Sequence, residues 1–597
     1  MPRSRETPSA RLTPARRTTG TSQPAGFLPL FGAAILLSFL IFGASLNHDW
    51  LSDDRPLVQD NLTLQQGNPA TVIRIWTSDW WEEIGADGAR FRAGDDRNLH
   101  RPLTMTTLWF NARLGATTPG PFHVTNILLH ALAAALVGAL AARRIAFRFA
   151  GWISMLVVAL HPVGLDVINR IVGRADILVL AGLAATLLVQ TKARDGWTSG
   201  RIIVLTLCAI GAMASKESGY AVLPLVVVVA WLDQERTPRP WLAPALVTGA
   251  TALMLALRVS VVGLPHYVSD PRTDLLANPL AGLPFVERLP AAVANAAWYV
   301  RMLVVPWPMR AIDHPVTLST WGDPMTWLGA LALVAVLTTF GLSLRRRHES
   351  SLALGWWLLA SLGVGQLLLA IGAFRETRLL YPFLGAFALG ITLIAEDIAR
   401  STSRQTARLA TRAAALMLPA AWLLIIVNRT AAYTDDRHLL EADLKHHPAP
   451  LTWLQLGTLY MESGRMAEAR TAKENALTLA PNSTQALADV GAFHVDTDNF
   501  ARGDSLLTRS LAIAPQNSVA LLNLGTLRLR QNRLEESHDL LTRAEALDPD
   551  FILTQLNLTL LEMRMGRTDS VRKRLDKLRV QAPGDPRVAD LMRGLGP

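Results

Sequence analysis

The chain has 597 residues, 50% hydrophobic and 18% charged, with a formal net charge of +10 and one cysteine. Its length would allow several soluble domains, but the apolar residues concentrate before about residue 427, in blocks of roughly twenty, the length that matches a bilayer core. Cys208 is alone and lies inside an apolar block, so no disulfide framework exists. The basic excess sits in short loops between the blocks, which points to membrane topology rather than nucleic acid.

Residues 1–26 carry five arginines among Thr, Ser and Pro. That composition buries no core and reads as a disordered cytoplasmic tail. The run Phe27 to Leu46 is long for a signal-peptide core and reads as an uncleaved first span. A polar loop, 47–121, comes next. It opens with Asn47-His48-Asp49-Trp50-Leu51-Ser52-Asp53-Asp54 and continues through Trp76, Asp79, Trp80, Trp81 and Glu82 to His100-Arg101-Pro102-Leu103-Thr104. Two adjacent carboxylates just outside a span are costly beside lipid and suggest a task. The plainer reading is a solvated loop with an interfacial Trp belt.

Further apolar blocks lie near 122–142, 149–165, 171–190, 201–214, 219–232, 241–262, 290–305, 325–343, 353–372, 378–396 and 409–427. The connections alternate in character. Those holding Arg143-Arg144, Arg194, Arg236 and Arg345-Arg346-Arg347 are basic and suit the cytoplasmic side. Parity holds only if 290–305 is interfacial or re-entrant, which leaves about eleven spans within 27–428 and sends the C-terminal region outside. Residues 429–449 read as a connecting helix.

From 450 to 597 the chain repeats itself. Pro481, Pro515, Pro549 and Pro583 recur every 34 residues, as do Gly457, Gly491 and Gly525, with Thr559 in the fourth place. The first unit reads Trp453, Leu456-Gly457, Tyr460, Ala469, Ala476 and Pro481, the tetratricopeptide pattern. The expected fold is therefore all-α: a polytopic membrane domain followed by an α-solenoid of about four units. Such arrays bind peptides or proteins, and a passive spacer is the duller alternative.

Four polar clusters fall on one expected side of the membrane: Asp53-Asp54; His161 with Asp166, Asn169-Arg170, Arg174 and Asp176; Lys216-Glu217; and Arg375-Glu376 with Arg378 and Tyr381. Each alone can be snorkelling cations and their ion-pair partners. Together they put acids suited to general-base work beside cations suited to a phosphate. A phosphate at a membrane face suggests a lipid-linked donor.

Taken with Phe122-His123, Asn126, His130 and Arg378-Leu379-Leu380-Tyr381-Pro382, these motifs resemble those of the GT-C glycosyltransferases. Within that class they resemble the transmembrane and tetratricopeptide-repeat O-mannosyltransferases and their bacterial relatives. The resemblance implies an inverting transfer of a sugar, mannose by analogy with the animal members, from a polyprenyl-phosphate donor to an extracytoplasmic hydroxyl, on a protein acceptor. It implies Asp54 or Asp53 as the catalytic acid, with Asp54 favoured by analogy with the family's second acid. Arg174, Lys216 and Arg378 would take the donor phosphate. His100, Arg101, His123, His161, Asp176, Glu217 and Tyr381 would line the pocket. No cofactor is firmly implied, and a divalent metal could do the orienting. One departure concerns Glu376, which stands one place ahead of the family's usual Glu, where Thr377 is found. The expected location is a bacterial inner membrane, with the N-terminus cytoplasmic and the repeats periplasmic. Two other readings are a non-enzymatic membrane-anchored repeat scaffold and a transporter. An anchor needs only one span, and a transporter should show internal repeats or mid-span charges.

Overall fold

The structure is a computed structural model that describes residues 26–61, 63–64, 68–80, 99–263, 276–280, 283–311, 318–367, 371, 373–401, 405–582 and 585–595. Residues 1–25, Trp81, Glu82 and Pro583 lie outside the described residues. The elements are helical throughout, as the apolar blocks and the 34-residue period require.

The N-terminal half contains α1 (Phe27–Phe42), α2 (Thr71–Thr77), α3 (Pro102–Arg113), α4 (Pro119–Arg144), α5 (Ala150–Leu160), α6 (Val163–Asn169), α7 (Arg174–Lys192) and α8 (Ser199–Ser215). It continues with α9 (Val222–Leu232), α10 (Leu242–Val262), α11 (Phe285–Val304), α12 (Pro324–Arg345), α13 (Ser350–Val364), α14 (Leu384–Ser401), α15 (Gln405–Thr430) and α16 (Asp436–Leu444).

Helix α4 is the central post, packed by α1, α5 and α7. Its Ala131, Ala133, Ala134, Ala135, Ala139 and Ala141 are buried. Small side chains let backbones approach closely in the absence of a strong hydrophobic drive within lipid. A Cβ on Gly138 would stand 2.7 Å from the Gly151 carbonyl oxygen. The outer helices show the opposite character. Leu328, Leu331, Val334 and Leu337 of α12 and Leu253 and Val259 of α10 are exposed. An apolar surface of that size suits lipid rather than water.

Six helices among the described residues are long and apolar enough to span a bilayer, and the pair α5–α6, bent by 61° at His161-Pro162, makes a seventh. Three more apolar helices are shorter, 10–17 residues long. The expectation of about eleven spans thus meets several segments too short or too broken to count by length alone. Such irregular backbone survives at membrane depth only where protein covers it.

Contacts show which ends lie together. At one end, Arg144 pairs with Asp233 and with Glu349, both at 2.7 Å, and Arg194 pairs with Asp233 at 2.5 Å. The Trp231 indole donates to the Leu344 carbonyl there at 3.0 Å. At the other end, roughly 39 Å away by the length of a 26-residue helix, lie Asp53, Arg170, Lys216, Arg258 and Arg378. Helix α10 ends at this second end, where Arg258 meets Glu217 at 3.4 Å. The first turns of α12 pack closely on α11, where a Cβ on Gly329 would meet the Val293 carbonyl at 2.0 Å. Helix α11 carries Glu287, Arg288 and Arg301 and is not among the helices long and apolar enough to span.

Beyond α16 run paired helices: Pro450–Glu462 with Met466–Leu479, Thr484–Asp496 with Phe500–Ile513, Ser518–Arg530 with Leu534–Leu547, and Ile552–Arg564 with Thr568–Gln581. The glycines serve the close approach within each pair. A Cβ on Gly457, Gly491 or Gly525 would meet Lys473, Leu507 or Leu541 at 2.8–2.9 Å. The turns inside the pairs hold Gly464, Asp498, Asn532 and Gly566 at φ between 60° and 72°. Gly, Asp and Asn are the residues that tolerate this left-handed region, so the turn repeats with the same 34-residue step.

Candidate active site

The two acids of the first loop part company. Asp54 is fully buried. It accepts the backbone N–H groups of Ile171 and Val172 at 2.9 Å each and of Leu51 at 3.2 Å. Burial pushes its carboxyl up to about 7, against the lowering effect of those three bonds. Its task is to hold the turn between α6 and α7. Asp53 is the open acid, with 32% of its side chain exposed, and it faces Arg378 across 3.7 Å.

Arg378 stands at the centre of a charged group. Its Nε donates to Glu376, and its backbone N–H donates to Asp166 at 2.9 Å. Asp166 also accepts from Arg170 at 3.1 Å. Although burial works the other way, the Arg378 and Arg170 guanidinium groups hold the Glu376 carboxyl below its ordinary value. Arg378 remains 21% exposed, and at 3.7 Å its contact with Asp53 is longer than a hydrogen bond.

Lys216 lies alongside. Two of its three N–H groups donate to the two oxygens of Asp176, both at 2.8 Å. Burial pushes its ammonium down; Asp176 pulls it back, while Arg101 and Arg378 push it lower. Arg101 in turn makes a forked contact with Glu217, at 2.9 and 3.2 Å, and lies over the Trp80 ring at 5.2 Å. Asp53, Arg378, Lys216, Asp176, Arg101 and Glu217 thus share one end of the bundle. All but Asp176, which stands in the first turn of α7, come from breaks between helices or from a helix cap, where backbone geometry frees a polar side chain from the lipid-facing rods.

Several expected site residues lie elsewhere. Arg174 is 0% exposed. It donates to Asn126 at 2.7 Å, to Asn111 at 2.6 Å, and to the carbonyls of Thr107 and Phe122 at 3.0 and 3.1 Å. These bonds pin α3, α4 and α7 together. His161 is buried at the break between α5 and α6, bonded to the Leu303 carbonyl at 2.9 Å. Tyr381 pairs with His130 at 2.6 Å in the bundle core. His123 is buried against the Ile168 carbonyl at 3.1 Å. His100 is held by the Trp76 carbonyl at 3.1 Å, and burial lowers its affinity for a proton. All four are buried and hydrogen-bonded within the protein. Asp166, Arg170 and Glu376, by contrast, join Asp53 in the charged group around Arg378. Among the described residues no group of three or more His, Cys, Asp and Glu is placed to hold a metal.

A polytopic helical domain with a charged site at one end, continued by a tetratricopeptide array in the same chain, defines the class of protein. Residues 529–595 match the family model described as tetratricopeptide repeat. The chain resembles the transmembrane and tetratricopeptide-repeat O-mannosyltransferases. It is 25% identical over 559 residues to protein O-mannosyl-transferase Tmtc3 of Drosophila melanogaster, covering 81% of this chain and 56% of that one. It is 30% identical over 229 residues to human protein O-mannosyl-transferase TMTC4, covering 34% of this chain and 30% of that one. The chain thus spans little more than half the length of the first relative and less of the second. An archaeal oligosaccharyltransferase, AglB of Archaeoglobus fulgidus, aligns over 73% of this chain and 58% of its own at 12% identity, with a TM-score of 0.34.

Proposed function

We propose that the protein is an inverting glycosyltransferase of the GT-C kind, moving a sugar from a polyprenyl phosphate to a hydroxyl on an extracytoplasmic protein. The observation that carries this reading is the half-open Asp53 carboxylate 3.7 Å from Arg378, a few residues beyond the first span. A base and a phosphate-seeking cation then stand side by side at a membrane face. The acceptor hydroxyl oxygen attacks the anomeric carbon and gives its proton to Asp53. The bond from that carbon to the phosphate oxygen breaks, and the phosphate leaves with the electron pair. Arg378 and Lys216 stabilise the charge gathering on the phosphate, where charge-assisted bonds are worth most. Asp54 takes the supporting part, reversing the preference drawn from analogy. The names of the relatives make mannose the first sugar to test. The cationic connections support a reading with the far end of the bundle in the cytoplasm and the site, with the repeats, outside it. The membrane of this reading is a bacterial inner membrane.

The test is sugar transfer from a polyprenyl-phosphate donor by purified, reconstituted protein, with and without added divalent metal. Asp53→Asn should lower turnover about a hundred- to ten-thousand-fold, the range of a general base. Asp54→Asn should keep turnover per folded molecule. Parental transfer by Asp53→Asn would sink the mechanism, and parental transfer by both variants would put the repeat-scaffold reading ahead.

A further inference from the structure

Two contacts tie the segment after the last apolar helix to the loop that bears the acids, and a third ties it to α6. The Asp436 carboxylate accepts the Ser52 N–H at 2.8 Å. The Thr434 carbonyl accepts the Asp49 N–H at 2.9 Å. The Tyr433 hydroxyl donates to Asp166 at 3.4 Å. Asp436 opens α16 without capping it. The neighbouring Asp435 is the cap, accepting the His438 N–H at 2.9 Å. The Asp436 carboxylate is therefore available to a loop 384 residues earlier in the chain.

Its partner is a special residue. Ser52 has φ of 49°, and a non-glycine residue keeps that left-handed conformation only where the surroundings fix it. The turn at Ser52 sets the directions of the next two side chains. Just past it the chain sends Asp54 inward to the Ile171 and Val172 amides and leaves Asp53 facing Arg378. The other face of the junction belongs to the repeats. Helix α16 packs on the first repeat helix, and the Tyr460 hydroxyl there donates to Glu441 of α16 at 3.0 Å.

We propose that Asp436 is a positioning residue for Asp53. By holding the Ser52 amide it fixes the left-handed turn that aims the acid at Arg378, so the junction with the repeat array sets where the acid stands. The inference rests on Asp53 acting as the base.

The test uses the full chain in lipid nanodiscs and two variants. Asp436→Ala removes the acceptor, whereas Asp436→Asn keeps an amide oxygen able to accept the same bond. Hydrogen exchange over residues 49–54 should quicken roughly tenfold or more in Asp436→Ala, as expected for losing a bond to a charged acceptor, and stay near parental in Asp436→Asn. Turnover with a polyprenyl-phosphate donor should fall about a hundredfold in kcat for Asp436→Ala, the scale of a small misplacement of a reacting group. KM should hold, and Asp436→Asn should recover most of the rate. Parental exchange in Asp436→Ala, or equal loss of rate in both variants with a shared fall in Tm, overturns the proposal. Should the parent transfer no sugar, the functional reading fails, while the exchange measurement still decides whether Asp436 holds the turn.

Discussion

At the scale of the residue, the informative contrast is between neighbours in sequence with opposite surroundings. Asp53 and Asp54 differ because one left-handed residue turns the chain, not because of their chemistry. Asp54→Asn replaces an acceptor with an amide whose own N–H groups would face the Ile171 or Val172 N–H. Leaving such a donor unpaired costs about 1–3 kcal/mol, so a lower melting temperature is expected, read by thermal unfolding in detergent. The raised carboxyl of Asp54 also gives stability a pH dependence. The folded state binds this proton more tightly than the unfolded chain, whose value is near 3.8. Its contribution is thus fully present below that value and is lost as pH rises toward about 7. The parent should lose more stability across this window than Asp54→Asn does. A steeper fall in the variant would contradict the assignment. Arg174→Lys is a third case. A lysine cannot reproduce the fork that meets Asn126, Asn111 and two carbonyls. The variant should lose about 2–4 kcal/mol of stability through unpaired buried acceptors, with donor KM unchanged in whatever fraction folds.

At the scale of the element, the site is built from helix breaks. The turn Lys216-Glu217-Ser218-Gly219 presents a cation and an acid because Gly219 lets the chain fold back onto α8. A Cβ on Gly219 would stand 2.0 Å from the Ala212 carbonyl oxygen, which is fixed backbone. Gly219→Ala should therefore destabilise by about 3 kcal/mol, at the upper end for overpacking, and displace Lys216. The readout is a fall in yield and melting temperature, with raised donor KM in the surviving protein. A well-folded Gly219→Ala with parental KM would show that Lys216 holds no phosphate. The repeat helices obey the same logic. There, too, a side chain cannot enter the space that a glycine leaves to the facing helix.

At the scale of the molecule, the repeat array and the membrane bundle are joined through α16 and through Leu276, which packs on the apolar cluster of the first two repeats. Removing residues 450–597 while keeping α16 should spare transfer to a simple hydroxyl acceptor and abolish selection of the native protein acceptor. Extending the deletion back through Asp436 should abolish both. Equal loss from the two deletions would count against a separate recognition role for the repeats. A reporter fused after Val427 checks the sidedness independently. Activity confined to a reporter that works outside the cytoplasm is expected, and cytoplasmic activity would remove the array from the acceptor's side.

The sequence by itself determined the class of every long element. Apolar runs of bilayer length can only be helices in lipid, because each backbone polar group must be satisfied within its own segment. A 34-residue period can only be stacked hairpins. It also placed the acids and cations at helix ends, since charge is excluded from mid-span. What it could not rank was burial. Arg174, Arg378 and Lys216 look alike as cations at helix ends. Only packing puts four acceptors around the first and leaves part of the second exposed. Likewise Asp436 carries no motif, and nothing near it in the chain points to Ser52. A contact between positions 384 residues apart is set by how the last helix returns to the first loop, and that return is decided by the tertiary fold alone.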